Sequence, residues 1–221
     1  MENGRVENGM HSYLKLTFNQ QNFHQFCDAV AAQDVDLKGI INWFGYPPFW
    51  SRPNTFESIV HIILEQQVSL ASALATLNKL KDRIINITPE NFLSLSDEEL
   101  KDCYFSRQKT SYVRDLAQNL LRKTLDLDAL VNETDEEIRT ELTKIKGIGN
   151  WTVDIYLIFI LHRLDVFPMG DLAAVNALKK VKGLGKTSSQ EEIISTTLHW
   201  KPYSSLATML LWHFYLEERK R

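Results

Sequence analysis

Residues 142–154, Leu-Thr-Lys-Ile-Lys-Gly-Ile-Gly-Asn-Trp-Thr-Val-Asp, set two glycines two positions apart between apolar stretches. Glycine turns the backbone sharply and reaches positive φ without steric cost. Flanked by Leu142 and Ile145 on one side and Trp151-Thr152-Val153 on the other, this Gly-x-Gly reads as a tight hairpin between two helices. N–H groups opening the second helix lack intrahelical partners, and the helix dipole adds to them, so they favour an anion such as a phosphate. One apolar helix later stands a lone aspartate, Asp171, at the start of the next helix. There a carboxylate is a preferred cap and is stabilised in its charged form. A plain αα turn and a plain N-cap remain open readings of both features.

Most of the remaining chain is helical in pattern. Residues 1–11 are polar and aperiodic and read as a disordered tail, and residues 12–18 alternate (Leu14, Leu16 and Phe18 against Tyr13, Lys15 and Thr17) as a short strand would. Helices are expected over 22–33 and 36–44, ending at Gly45 and the Pro47-Pro48 break. Asn54 or Thr55 can cap a helix through Phe56, Ile59, Val60, Ile63 and Leu64, which is apolar around most of its girth and therefore central. Ser69 opens a helix to about Asn86, and Ser96-x-x-Glu99 and Thr134-x-x-Glu137 are capping boxes that start two more. Further helices are expected over 107–122, near 171–181, near 188–198 and near 202–218. The expected architecture is all-α and two-lobed with a cleft between the lobes. Residues 12–54 and 166–221 form a terminal lobe, and residues 55–165 form a central lobe ending in the helix-hairpin-helix over 141–162.

Composition narrows the function classes. Among 221 residues, 44% are hydrophobic and 24% charged, which suits a soluble core-forming chain. No apolar run is long enough to span a bilayer and no signal-peptide pattern opens the chain, so no membrane partner is expected. Cys27 and Cys103 have no metal or disulfide spacing, which points to a reducing compartment. The formal charge of −3 lends nothing to nucleic-acid binding. Locally, Lys144, Lys146, Lys179, Lys180, Lys182, Lys186 and Lys201 crowd the C-terminal half, while acidic residues gather at 97–99, 135–137 and 191–192. The lysines read either as a basic patch or as an ordinary solvated face.

The hairpin motif, with Phe167-Pro168-x-Gly170-Asp171 downstream, resembles the helix-hairpin-helix DNA glycosylases, and among them the 3-methyladenine DNA glycosylase II group. Ile62-Ile63-x-Glu65-Gln66-Gln67-Val68-Ser69, Ser106-Arg107-Gln108-Lys109-x-x-Tyr112 and Trp200-Lys201-Pro202-Tyr203 match as well, so the resemblance runs from about residue 36 to 216. It departs in size, since the chain has little room for the β-rich N-terminal domain of some members.

The resemblance implies a monofunctional glycosylase that flips alkylated purines of the 3-methyladenine and 7-methylguanine type out of duplex DNA. It would hydrolyse the N-glycosidic bond and leave an abasic site. Asp171 takes the position of the catalytic carboxylate, which stabilises the oxocarbenium-like sugar and orients water. Trp151 stands where bifunctional relatives carry a lysine, and an indole forms no Schiff base. Trp151, Trp212 and Tyr215 would wall a pocket for an electron-poor base. Gln67 takes the wedge position, and Lys146, Gly147, Ile148, Gly149 and Thr152 would hold the DNA backbone. No cofactor and no side-chain metal site are implied; hairpin carbonyls can hold a monovalent cation.

The expected partner is duplex DNA carrying alkylated bases, met by a monomer in the cytoplasm of a bacterium or the nucleus of a eukaryote. Asp154 and Asp165 read as surface or helix-end residues, and Phe49 and Trp50 are expected at the cleft entrance. Alternatives kept open are a catalytically inactive helix-hairpin-helix DNA-binding protein, a glycosylase for deaminated or oxidised bases, and an all-α scaffold. No C-terminal four-cysteine run is present, which argues against the iron–sulfur branch.

Overall fold

The structure, a computed structural model, describes residues 16–220. The tail expected at 1–11 and the start of the expected strand at 12–15 lie outside the described residues. The chain divides into two compact units, one made of residues 52–161 and the other of the segments that end at Ser51 and resume at His162. These bounds differ from the 54/55 and 165/166 expected from the sequence. Arg52 belongs to the internal unit because its N–H donates to Phe159 O at 2.9 Å and its guanidinium grips Glu65 at 2.6 and 2.9 Å. His162 belongs to the other, with its Nε2 2.9 Å from Ser51 Oγ and its carbonyl accepting from Phe18 N–H at 3.0 Å.

The terminal unit begins with α1 (Phe23–Gln33) and α2 (Val35–Phe44), split by Asp34, whose carboxylate caps α2 by accepting from the Asp36 and Leu37 N–H groups. Helix α2 stops at Gly45, where φ reaches 77°. The internal unit then carries α3 (Phe56–Glu65), α4 (Leu70–Arg83), α5 (Pro89–Leu93), α6 (Asp97–Asp102) and α7 (Arg107–Leu121). It continues through α8 (Leu127–Leu130), α9 (Asp135–Leu142) and α10 (Asn150–Phe159). The chain returns to the terminal unit for α11 (Leu172–Val181), α12 (Gln190–Thr197), a 3₁₀ turn over Leu198–Trp200 and α13 (Ser204–Glu218).

Each unit is built around one helix that is buried over most of its surface. In the internal unit this is α3, whose Ile59, Val60, Ile62, Ile63 and Leu64 are at most 1% exposed, with α4, α7 and α10 packed on it. Thr55 caps α3, while Asn54 donates to Leu127 O and accepts from Tyr156 Oη, tying α8 to α10. In the terminal unit the buried helix is α13, where residues Ser204 to Phe214 are all buried against α1, α2 and α11. Its buried hydroxyls are satisfied: Ser205 Oγ donates to Arg163 O and accepts from Val166 N–H, and Thr208 Oγ1 donates to Ser204 O.

The sequence expectations needed small corrections. The 12–18 alternation yields, among the described residues, only an isolated antiparallel bridge between Thr17 and Arg163. Its partner segment is the short connection between α10 and α11, too brief to extend a ladder. Helix α4 ends at Arg83, short of Asn86, because Ile84 turns extended and Thr88-Pro89 restarts a helix with Pro at its first position. Helices α5 and α8 are additions to the sequence reading. Both expected capping boxes form, and Ser189 with Glu192 makes a third at α12. The acidic clusters at 97–99, 135–137 and 191–192 are thus the first turns of three helices, where the dipole favours negative charge.

Candidate functional site

Asp171 is the N-cap of α11, reached through a Pro168–Asp171 turn in which its N–H donates to Pro168 O at 2.8 Å. Its Oδ1 accepts two hydrogen bonds, from Ala174 N–H at 2.8 Å and from the Trp212 indole N–H at 2.9 Å. Two donors on one oxygen fix the orientation of the carboxylate. Trp212 is 8% exposed, so the indole is itself held by the packing of α13. The cap reading of Asp171 is therefore correct, and it is compatible with a chemical one. The same donors that complete the helix hold a charged group ready-oriented.

In the internal unit the hairpin joins α9 to α10. Gly147 takes φ 82°, and a Cβ on it would collide with the Tyr112 ring of α7, so only glycine fits. Gly149 differs: it is the N-cap of α10 and lacks positive φ, and a Cβ there would meet nothing within 4 Å. The expectation that both glycines serve backbone geometry thus holds for Gly147 alone. Two hairpin N–H groups are already engaged, Lys146 N–H with Asp115 Oδ2 at 2.8 Å and Ile148 N–H with Ile145 O at 3.1 Å. The anion-attracting part of the motif narrows to the start of α10, where no side chain caps the helix. Ile145 O accepts from Ile148 N–H at 3.1 Å and Gly147 O from Gln66 Nε2 at 2.9 Å. Among the described residues no three His, Cys, Asp or Glu side chains form a metal-binding group.

The expected site residues separate by unit: Asp171, Trp212 and Tyr215 in one, and Gln67, Lys146, Gly147, Ile148, Gly149, Trp151 and Thr152 in the other. Thr152 is buried at 3% exposure with its hydroxyl accepting from Gln66 Nε2, so its side chain braces the hairpin from inside. Ile148 likewise points its side chain into the core, at 4% exposure. Tyr215 takes the Arg219 guanidinium over its ring at 5.3 Å and on its hydroxyl at 2.6 Å. It lines a hollow of about 350 Å³ with Lys180 and Arg219, a hollow that Asp171 and Trp212 do not line. A ring face already holding a cation is a poor wall for a cationic base. Gln67 is exposed and left-handed at φ 57°, an unfavourable conformation for a residue with a Cβ, and Trp151 is half-buried at the start of α10.

Other expectations are revised by burial. Asp154 is no surface residue: it is 7% exposed and paired with Arg139 at 2.6 Å. Burial pushes its carboxyl above the usual range, while the Arg139 hydrogen bond opposes the shift. Phe49, half-buried, packs edge-on against Phe18 and Phe23 in the terminal unit, which leaves its expected place at a cleft entrance undecided by burial. The crowded lysines are mostly paired: Lys144 with Glu141, Lys180 with Glu218, Lys182 with Asp34 and Asp36, and Lys201 with Asp165. Lys179 donates to Lys186 O. Four residues around the hairpin gain a role only from the structure: Gln66, Tyr112, Asp115 and Arg139. Gln66 and Tyr112 lie in the quoted motifs, and Asp115 follows Tyr112 by three residues on the same face of α7, a signal that was available.

Comparison with known proteins gives concordant results. The family model described as HhH-GPD superfamily base excision DNA repair protein matches residues 60–202. The alkylbase DNA glycosidase-like protein mag2 of Schizosaccharomyces pombe is 31% identical over 170 residues, covering 75% of this chain and 80% of that protein. DNA-3-methyladenine glycosylase 1 of the same yeast is 30% identical over 189 residues, covering 81% and 82%. A putative DNA-3-methyladenine glycosylase of Bacillus subtilis, YfjP, is 30% identical over 72% of this chain, which spans 58% of that protein's length. The S. pombe 3-methyladenine DNA glycosylase Mag1, solved with abasic DNA, superposes with a TM-score of 0.78 at 27% identity, covering 85% of this chain and 95% of that one.

Proposed function

The chain belongs to the HhH-GPD superfamily of base excision DNA repair proteins, and from that premise we propose that it releases alkylated purines from duplex DNA by hydrolysis. The observation that carries the reading is the Asp171 carboxylate, held on one oxygen by Ala174 N–H and the Trp212 indole. As the glycosidic bond breaks, positive charge builds on the sugar, and an oriented carboxylate stabilises it and directs the attacking water. A purine alkylated at N3 or N7 is already cationic and departs neutral, so no separate general acid is required. Trp212, whose indole N–H holds the carboxylate, supplies an electron-rich face for such a base; Tyr215, engaged by Arg219, does not. The strand is held by the opened start of α10 at Gly149 and by the exposed Lys146 side chain, with Gln67 entering the gap left by the flipped nucleotide.

Trp151 replaces the amine that strand-nicking relatives use, so the reaction ends at an abasic site with the backbone intact. The protein acts as a monomer, and no described helix is long and apolar enough to cross a membrane. The test is a base-release assay on alkylated duplex DNA with native protein and Asp171→Asn. Native protein frees 3-methyladenine or 7-methylguanine, and strand breaks appear only after alkali. Asp171→Asn binds abasic duplex but frees no base. Salt-sensitive binding by a native chain that releases nothing would favour an inactive DNA-binding protein, and prompt nicking would exclude the monofunctional assignment.

A further inference from the structure

Gln66 connects two parts of the internal unit that lie far apart in sequence. It follows the last residue of α3 and precedes Gln67, the exposed residue at φ 57°. Its Nε2 donates to Gly147 O and to Thr152 Oγ1, both at 2.9 Å. A carbonyl oxygen can only accept, so the nitrogen end of this amide must face the hairpin. The bond to Gly147 O holds the hairpin at its turn, and the bond to Thr152 holds the first turn of α10.

Helix α7 supports the same two segments from one face. Lys109 Nζ donates to Leu64 O at 2.6 Å, anchoring the end of α3 just before the turn. Three residues on, the Tyr112 ring occupies the space a Gly147 side chain would need. Three further on, Asp115 accepts the Lys146 N–H. Residues 109, 112 and 115 follow helical spacing on one face. Arg52 adds a two-pronged grip on Glu65, so the turn is tethered immediately before Gln66 as well. A left-handed non-glycine residue persists only where its surroundings over-determine it, and these tethers do so.

We propose that Gln66, backed by the α7 face of Lys109, Tyr112 and Asp115, is a positioning residue that locks the Gln67 turn to the Gly147–Gly149 hairpin. The wedge and the phosphate grip then engage DNA as one prebuilt clamp. The strand position fixed at the hairpin sets which base step Gln67 enters, without reorganisation on binding. The proposal rests on the DNA reading above, and its substance is the linkage between the two segments.

The test is a set of thermodynamic cycles on binding to duplex DNA with a stable abasic analogue. Gln67→Ala and Gly149→Ala are combined in the native background and again with Gln66→Leu. In the native background the double variant should bind about fivefold tighter than independent effects would give, because either change spoils a shared clamp. With Gln66→Leu the two effects should multiply. Independent effects in the native background would overturn the linkage, as would a coupling that survives Gln66→Leu. Lys109→Met, which cuts the second tether, serves as the alternative should Gln66→Leu fail to fold, with the same loss of coupling expected.

Hydrogen exchange on the DNA-free protein reads the linkage separately. Gln66→Leu should speed exchange at residues 66–68 and 146–149 together, and faster exchange at 66–68 alone would count against the proposal. A native chain that binds no abasic duplex would sink the DNA reading, whereas joint exchange in that chain would still support the lock.

Discussion

In the proposed function Asp171 serves folding and chemistry through the same side chain. Its Oδ1 accepts from Ala174 N–H and the Trp212 indole, and an asparagine carbonyl oxygen can accept both bonds. Asp171→Asn should therefore melt within a few degrees of native protein while base release falls at least about a hundredfold, as expected when a pre-oriented charge is removed. Trp212→Phe removes the indole N–H and keeps an aromatic ring. Single-turnover release should drop about tenfold while the helix cap stays formed, a smaller effect because orientation is loosened and the charge remains. Lys146 is exposed beside the hairpin, and Lys146→Ala should reduce the slope of log affinity against log salt by about one.

At the level of the element, the two glycines of the hairpin separate cleanly. Gly147 combines φ 82° with a Tyr112 ring where its side chain would go, so Gly147→Ala should cost about 2 kcal/mol or more in urea unfolding. Gly149 has open space at its Cβ, and Gly149→Ala should fold like native protein while DNA affinity falls. Equal destabilisation by both changes would show that the open start of α10 is a structural need and not a binding one. Helix α13 makes a related point. Its residues from Ser204 to Phe214 are all buried, yet its few polar groups carry the connections to Arg163, Val166 and Asp171.

For the whole chain, charge and acid stability follow from pairing more than from totals. With most of the C-terminal lysines engaged by carboxylates, the net charge of −3 and a few local cations suffice to describe its electrostatics. Burial pushes the Asp34 carboxyl up, but hydrogen bonds from Lys182, Trp200 and His199 outweigh it and hold the group at about 2 against an ordinary 3.8. A lowered value means that the stabilisation is complete above about pH 4 and is lost as pH falls through about 2. It amounts to about 2 kcal/mol, which Asp34→Asn should remove from the pH dependence of unfolding between pH 5 and 2.

Much of this was written locally. Caps, capping boxes, the buried central helix α3, the hairpin and Asp171 are legible because helix periodicity and N-cap chemistry act within a few residues of sequence. Short α5 and α8 were missed because a single turn carries too little periodicity to be seen. What only the tertiary structure decided is which polar groups meet: Gln66 with Gly147, Asp115 with Lys146, Arg139 with Asp154, and Arg219 on Tyr215 within one turn of α13. Such pairings depend on which side chain is buried opposite which, and, apart from the last, they join segments whose separation along the chain leaves no periodic trace.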